Sequence, residues 1–179
     1  MARSRRSQGR SSDDRPAPDL ESALAVAERF LATRPRTRDE VVRRLHRAGA
    51  SQAVIDDVVT RLERLGYVDD AAFARYWVEQ RDGHAPRGRR ALSSELRRLG
   101  VNPADVDDAL STAPVETDRA DAALARHLRG ADLPAADPAR LARALSYLRR
   151  RGFDYATARD AVRRRMTGGD SAELADGLD

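Results

Sequence analysis

The sequence contains no cysteine. That excludes disulfides, thiolate zinc sites and cysteine nucleophiles, and it suits a reducing cytoplasm. Lysine is absent as well: all 33 basic residues are arginine. GC-rich codon usage accounts for the substitution, but the physical consequence stands. Arginine carries a planar fork that pairs bidentately with phosphate or carboxylate. Aromatic residues make up only 4% of the chain, so the core has to be aliphatic and alanine-rich, which favours helix packing over a β-sandwich. No apolar run approaches the roughly 18 residues of a membrane span, and no apolar segment follows the basic N-terminus. Neither a membrane span nor a secretory signal is therefore expected. The three histidines, His46, His84 and His127, show no metal-ligand spacing. No triad, metal cluster or nucleotide-binding loop converges, so the sequence predicts no enzyme, no cofactor and no metal.

What is present is charge and repetition. Charged residues are 35% of the chain, with a formal net charge of +4 and an isoelectric point near 10.2. That balance permits a nucleic-acid role without requiring one. The stretch Leu92–Leu110 shows the organising unit: leucines at helical spacing, Gly100 to end the run, then Asn102-Pro103 to open the next helix. The unit recurs at Gly49, Gly100 and Gly152, which are 51 and 52 residues apart. One turn before each glycine stands Leu45, Leu96 or Leu148. Ile55, Val106 or Ala158 follows, then Asp57, Asp108 or Asp160, and Val59, Leu110 or Val162. A fixed period marks a repeat architecture, in which stacked neighbours bury a core that one small unit could not. The expected fold is all-α, with three tandem three-helix repeats in an elongated, curved array. The repeats are expected at 19–68, 69–115 and 116–166. A basic disordered tail at 1–18 and an acidic one at 167–179 flank them.

Along the chain, Asp19 is placed to cap a first helix that Pro35 stops, and Thr37-Arg38-Asp39-Glu40 reads as a capping box for the second. Asp69 and Asp70 precede a helix carrying Phe73, Tyr76 and Trp77. Adjacent helical residues diverge by about 100°, so a cap explains these acids better than a metal site. Residues 81–90, RDGHAPRGRR, read as a Gly/Pro loop with four arginines. Ala113-Pro114 breaks the chain, and Asp137-Pro138 and Asp154 open the last two helices.

The candidate binding residues follow from charge clustering: Arg87, Arg89 and Arg90 in the loop, and the triplets Arg149, Arg150, Arg151 and Arg163, Arg164, Arg165 in the third repeat. Arginines near helix C-termini also favour the macrodipole. Residues 116–166 hold 12 arginines and 7 acids, against a balance of +1 for 19–68 and −1 for 69–115. The third repeat is thus the electropositive end. Replacing Arg149–Arg151 with alanine is expected to weaken partner binding and leave melting unchanged.

These features together resemble the RecX family of bacterial recombination regulators. The resemblance runs from about residue 20 to 166. It is carried by Leu65-Gly66-Tyr67-Val68-Asp69-Asp70-Ala71-Ala72-Phe73-Ala74, by Arg87-Gly88-Arg89-Arg90 with Ser94-Glu95-Leu96 and Gly100-Val101, and by Tyr147-Leu148-Arg149-Arg150-Arg151-Gly152-Phe153. It implies a cytoplasmic, non-enzymatic, monomeric modulator of the recombinase RecA. Such a protein would lie in the groove of the RecA filament on single-stranded DNA, touch that DNA, and reduce ATP hydrolysis and strand exchange. Composition alone leaves two other readings: a DNA-binding protein acting through arginine–phosphate contacts without a protein partner, and a general helical scaffold.

Overall fold

The aligned glycines do the same work three times. Gly49, Gly100 and Gly152 take φ of +85°, +92° and +88° in the computed structural model, a left-handed conformation that side chains resist. Behind each, the next amide reaches back over the turn. Ala50 donates to the Leu45 carbonyl at 3.2 Å, Val101 to Leu96 at 3.1 Å, and Phe153 to Leu148 at 3.3 Å. This is the six-to-one bond of a Schellman C-cap. The aligned leucines therefore serve twice, as fully buried side chains and as carbonyl acceptors.

The structure describes residues 17–167. Apart from residues 17, 18 and 167, the tails expected at 1–18 and 167–179 lie outside it. Nine helices are present among the described residues: α1 Leu20–Leu31, α2 Arg38–Arg47, α3 Gln52–Arg64, α4 Asp70–His84, α5 Arg89–Arg98, α6 Pro103–Ser111, α7 Glu116–His127, α8 Pro138–Arg150 and α9 Tyr155–Arg164. Side-chain caps set most of their starts. Asp19 accepts from Ser22 at 2.9 Å, Asp69 from Ala72 at 2.8 Å, Asn102 from Asp105 at 3.0 Å, Asp137 from Arg140 at 2.9 Å and Asp154 from Thr157 at 2.8 Å. Each such bond satisfies one orphan amide of a first turn. The two adjacent acids divide their roles, because Asp70 accepts from the Arg38 amide at 2.8 Å.

Three hydrophobic clusters form, one for each group of three helices. The first gathers Val41, Leu45, Ile55, Val58 and Leu62. The second gathers Phe73, Val78, Leu92, Leu96 and Val106. The third gathers Leu124, Leu133, Leu141, Leu148 and Phe153. The described chain divides into two compact units, one of residues 17–35 and 40–68, the other of 36–39 and 69–167. Inside the second unit, Thr37 is fully buried and its hydroxyl donates to the Leu99 carbonyl at 2.6 Å.

Two details differ from the sequence reading. The segment 81–90 is not one loop. Helix α4 continues to His84 and α5 begins at Arg89, because Arg81 is held against Glu95 at 3.0 Å and that contact outweighs the helix-weakening effect of Gly83. Only residues 85–88 connect the helices. Nothing in the sequence signals the short parallel pairing between β1 (Leu133–Pro134) and β2 (Met166–Thr167). In it, Leu133 donates to Arg165 and Ala135 to Thr167, each at 3.0 Å. Two residues per strand carry too little alternation to announce themselves.

Candidate functional site

Most of the arginines singled out from sequence already have partners inside the second unit. In the third group of helices, Arg149 lies over the Tyr155 ring at 5.8 Å and Arg151 over Tyr147 at 5.3 Å. Tyr147 in turn stacks on His127, with centroids 3.8 Å apart. Arg164 grips Asp121 with two nitrogens, at 3.0 and 2.9 Å. Arg165 donates to the Gly130 carbonyl at 2.9 Å and lies 3.7 Å from Asp132. Arg163 stands 3.5 Å from Asp160. Arg150 alone of the six is exposed with no hydrogen bond, ion pair or ring contact among the described residues. The +5 balance of this segment is thus dispersed into local pairs and ring contacts, which sequence counting could not reveal.

The arginines around α5 divide by face. Glu95 collects three donors on one side: Trp77 Nε1 at 3.0 Å, Arg81 Nε at 3.0 Å and Arg87 Nη1 at 2.7 Å. Arg81 also lies 4.5 Å from the centre of the Trp77 ring. Arg87 is therefore a structural residue, and its carbonyl accepts from Arg119 Nη2. Arg119 is only 5% exposed and meets Asp82 at 2.9 Å. Burial pushes the Asp82 carboxyl above its ordinary range, and the Arg119 charge offsets part of that rise. Arg119 escaped the sequence reading, which named Asp82, Glu95 and Trp77 but not their pairing with arginines. The only signal of the Arg119–Asp82 pair was an arginine and an acid on the apolar faces of α7 and α4.

The opposite face of α5 is open. Arg89, Arg90, Ser93, Ser94 and Arg97, with Asp107 from α6, line a shallow groove of about 490 Å³. Arg89 is half-exposed and spans loosely to Asp107 and to the Leu110 carbonyl, both at 3.4 Å. Its amide donates to Glu116 at 2.8 Å. The side chains of Arg90, Ser93, Ser94 and Arg97 make no hydrogen bond or ion pair among the described residues. Arg90 is near enough to Asp154 to help lower its carboxyl pKa, which the Thr157 amide and hydroxyl depress chiefly. The structure thus brings Arg89 and Arg90 together with Arg97 and two serines, and separates them from Arg87. No group of three or more metal-ligating side chains occurs among the described residues, and no helix there is long and apolar enough to cross a membrane.

Two family models match this chain: RecX, first three-helix domain, over residues 23–62, and RecX, second three-helix domain, over residues 69–110. The Regulatory protein RecX of Mycobacterium sp. (strain KMS) is 36% identical over 167 residues, covering 88% of this chain and 91% of the relative. That of Mycobacterium avium (strain 104) is 39% identical over 145 residues, covering 79% and 83%. The chain belongs to the RecX family. The Streptomyces coelicolor RecX is 34% identical over 165 residues, covering 90% and 87%. Among solved structures, RecX from Lactobacillus salivarius superposes with a TM-score of 0.68 at 17% identity, covering 81% of this chain and 95% of that one. A second RecX crystal structure gives 0.63 at 20% identity, covering 81% and 73%. At those identities the superpositions establish the shared fold. The two matched RecX domains fall on α1–α3 and α4–α6. The open face of α5 therefore lies within the second RecX domain.

Proposed function

We propose that this chain is a cytoplasmic, non-enzymatic modulator of RecA. It binds as a monomer in the groove of the RecA filament on single-stranded DNA and lowers ATP hydrolysis and strand exchange. The observation that carries this reading is family membership over most of the chain, at 34–39% identity to proteins named for regulation. The helical groups at 19–68, 69–115 and 116–166 are the binding units, each with its own hydrophobic cluster and its own charged surface. An array of three-helix groups supports a binding role.

The test is ATP hydrolysis by RecA from the same organism on single-stranded DNA, titrated with this protein. Inhibition well below one molecule per RecA protomer is expected, by interference at filament ends or nuclei. No effect at excess overturns the proposal. The second reading, direct DNA binding without a protein partner, is favoured by Arg90 and Arg97 of α5, which make no hydrogen bond or ion pair among the described residues. It predicts binding to bare DNA that falls steeply with salt and competes with RecA only for the strand.

A further inference from the structure

Residues 69–115 sum to a formal charge of −1, from 7 arginines and 8 acids, and that sum hides a segregation. Helix α5 carries Arg89, Arg90, Arg97 and Arg98 against one acid, Glu95. Glu95 is already neutralised on the far side by Arg81 and Arg87. Arg90, Ser93, Ser94 and Arg97 recur every three to four residues, so they share one face. At a rise of about 1.5 Å per residue, Arg90 and Arg97 stand about 10 Å apart along the helix. Two guanidinium forks with two hydroxyls between them make a row of donors that form no hydrogen bond or ion pair among the described residues, with the Asp154 carboxylate near Arg90.

We infer that this groove binds the phosphodiester backbone of single-stranded nucleic acid. Arg90 and Arg97 each take a phosphate, and Ser93 and Ser94 donate to phosphate oxygens between them. A donor row of about 10 Å is long enough to meet two successive phosphates of one strand. The contact reads no bases. In a helix-turn-helix the helix after the turn enters the major groove. Here that helix is α6, which carries Asp105, Asp107 and Asp108 and no basic residue. It would repel a duplex laid across it, and Asp107 bounds the groove on that side. A single strand can follow α5 and avoid α6. The inference rests on the proposed role only for the source of the strand, and the contact itself needs no RecA.

The experiment is fluorescence anisotropy of the full chain with a labelled oligodeoxythymidylate, without RecA, over a range of salt. Each single-strand phosphate contact contributes about −0.7 to the slope of log affinity against log salt. The Arg90→Ala/Arg97→Ala variant is expected to bind about ten-fold or more weakly near 0.1 M salt, with a slope shallower by about 1.4. Arg61→Ala, which removes the same kind of charge from an exposed position of α3, is expected to bind as the parent does. Ser94→Asp places an anion in the groove at an exposed position and carries the test if the double variant loses its helical circular dichroism. A parent that does not bind the oligonucleotide, or an Arg90→Ala/Arg97→Ala variant with the parental slope, overturns the inference. So does a folded variant that keeps oligonucleotide binding and loses its effect on RecA, because the groove is then a protein contact. A parent that binds through α5 and leaves RecA hydrolysis unchanged upholds this site and overturns the RecA reading instead.

Discussion

The Gly88 amide donates to the Arg151 carbonyl at 2.9 Å, and Gly88 stands so close to Gly152 that a Cβ on it would collide with the Gly152 carbonyl. Gly152 is equally confined, by Ala91. This backbone contact joins the α4–α6 group to the α7–α9 group inside the second unit. It also places α5, which starts one residue later, against the turn between α8 and α9.

Gly88→Ala should therefore lose about 1–3 kcal/mol or more, because the obstacle is backbone and cannot rotate away. Gly83→Ala is the matched control. Gly83 lies within α4, and a Cβ added to it would meet nothing within 4 Å. Alanine there should gain up to about 1 kcal/mol from helix propensity. Urea denaturation followed by circular dichroism measures both, and opposite signs are expected.

The Arg119–Asp82 pair ties α7 to α4 at 2.9 Å with Arg119 almost fully buried. Arg119→Ala leaves Asp82 without its counter-charge and should cost about 3–5 kcal/mol. The double change Asp82→Leu/Arg119→Met removes both charges and should cost less than the single one. A larger loss in the double variant would show that packing, and not the unpaired carboxylate, dominates.

Acid should destabilise this protein partly through Asp154. The Thr157 amide and hydroxyl hold its carboxyl below the ordinary range. The group thus contributes stability at neutral pH that is lost as pH falls from about 4 through its folded pKa. Asp154→Asn keeps a side-chain cap and removes the titration. Its stability at pH 7 should be close to that of the parent, with a smaller loss on acidification. Asp82 has the opposite sign. The folded chain holds its proton more tightly than the unfolded one, so its contribution falls as pH rises through the window above the ordinary carboxyl range. Urea midpoints measured across pH for Asp154→Asn and Asp82→Asn should therefore deviate from the parent in opposite directions.

The arginine triplet of α8 should divide in the same kind of assay. Arg151→Ala removes the cap of the column Arg151–Tyr147–His127, and Arg149→Ala uncovers Tyr155. Each should cost about 0.5–1 kcal/mol. Arg150→Ala, at an exposed position, should cost within about 0.5 kcal/mol. The triple alanine variant is thus expected to melt earlier than the parent, contrary to the expectation from charge clustering alone.

The helical organisation of this protein is written in local signals. Leucine spacing, an Asp, Asn or Ser before six of the nine described helices, and a glycine after α2, α3, α5, α7 and α8 act within a single turn. Sequence by itself therefore determined the helices apart from the last turn of α4, most of their caps, the repeat register at Gly49, Gly100 and Gly152, and the resemblance to RecX. Which arginines are free was decided only by tertiary structure. Arg87, Arg149 and Arg164 look like Arg90 in a charge count, yet Glu95, Tyr155 and Asp121 reach them from other helices. The same holds for Arg119, whose partner Asp82 is 37 residues away, and for the Gly88–Gly152 contact. Ion pairs, ring contacts and close backbone approach depend on side chains brought together across the fold, so no local pattern could specify them.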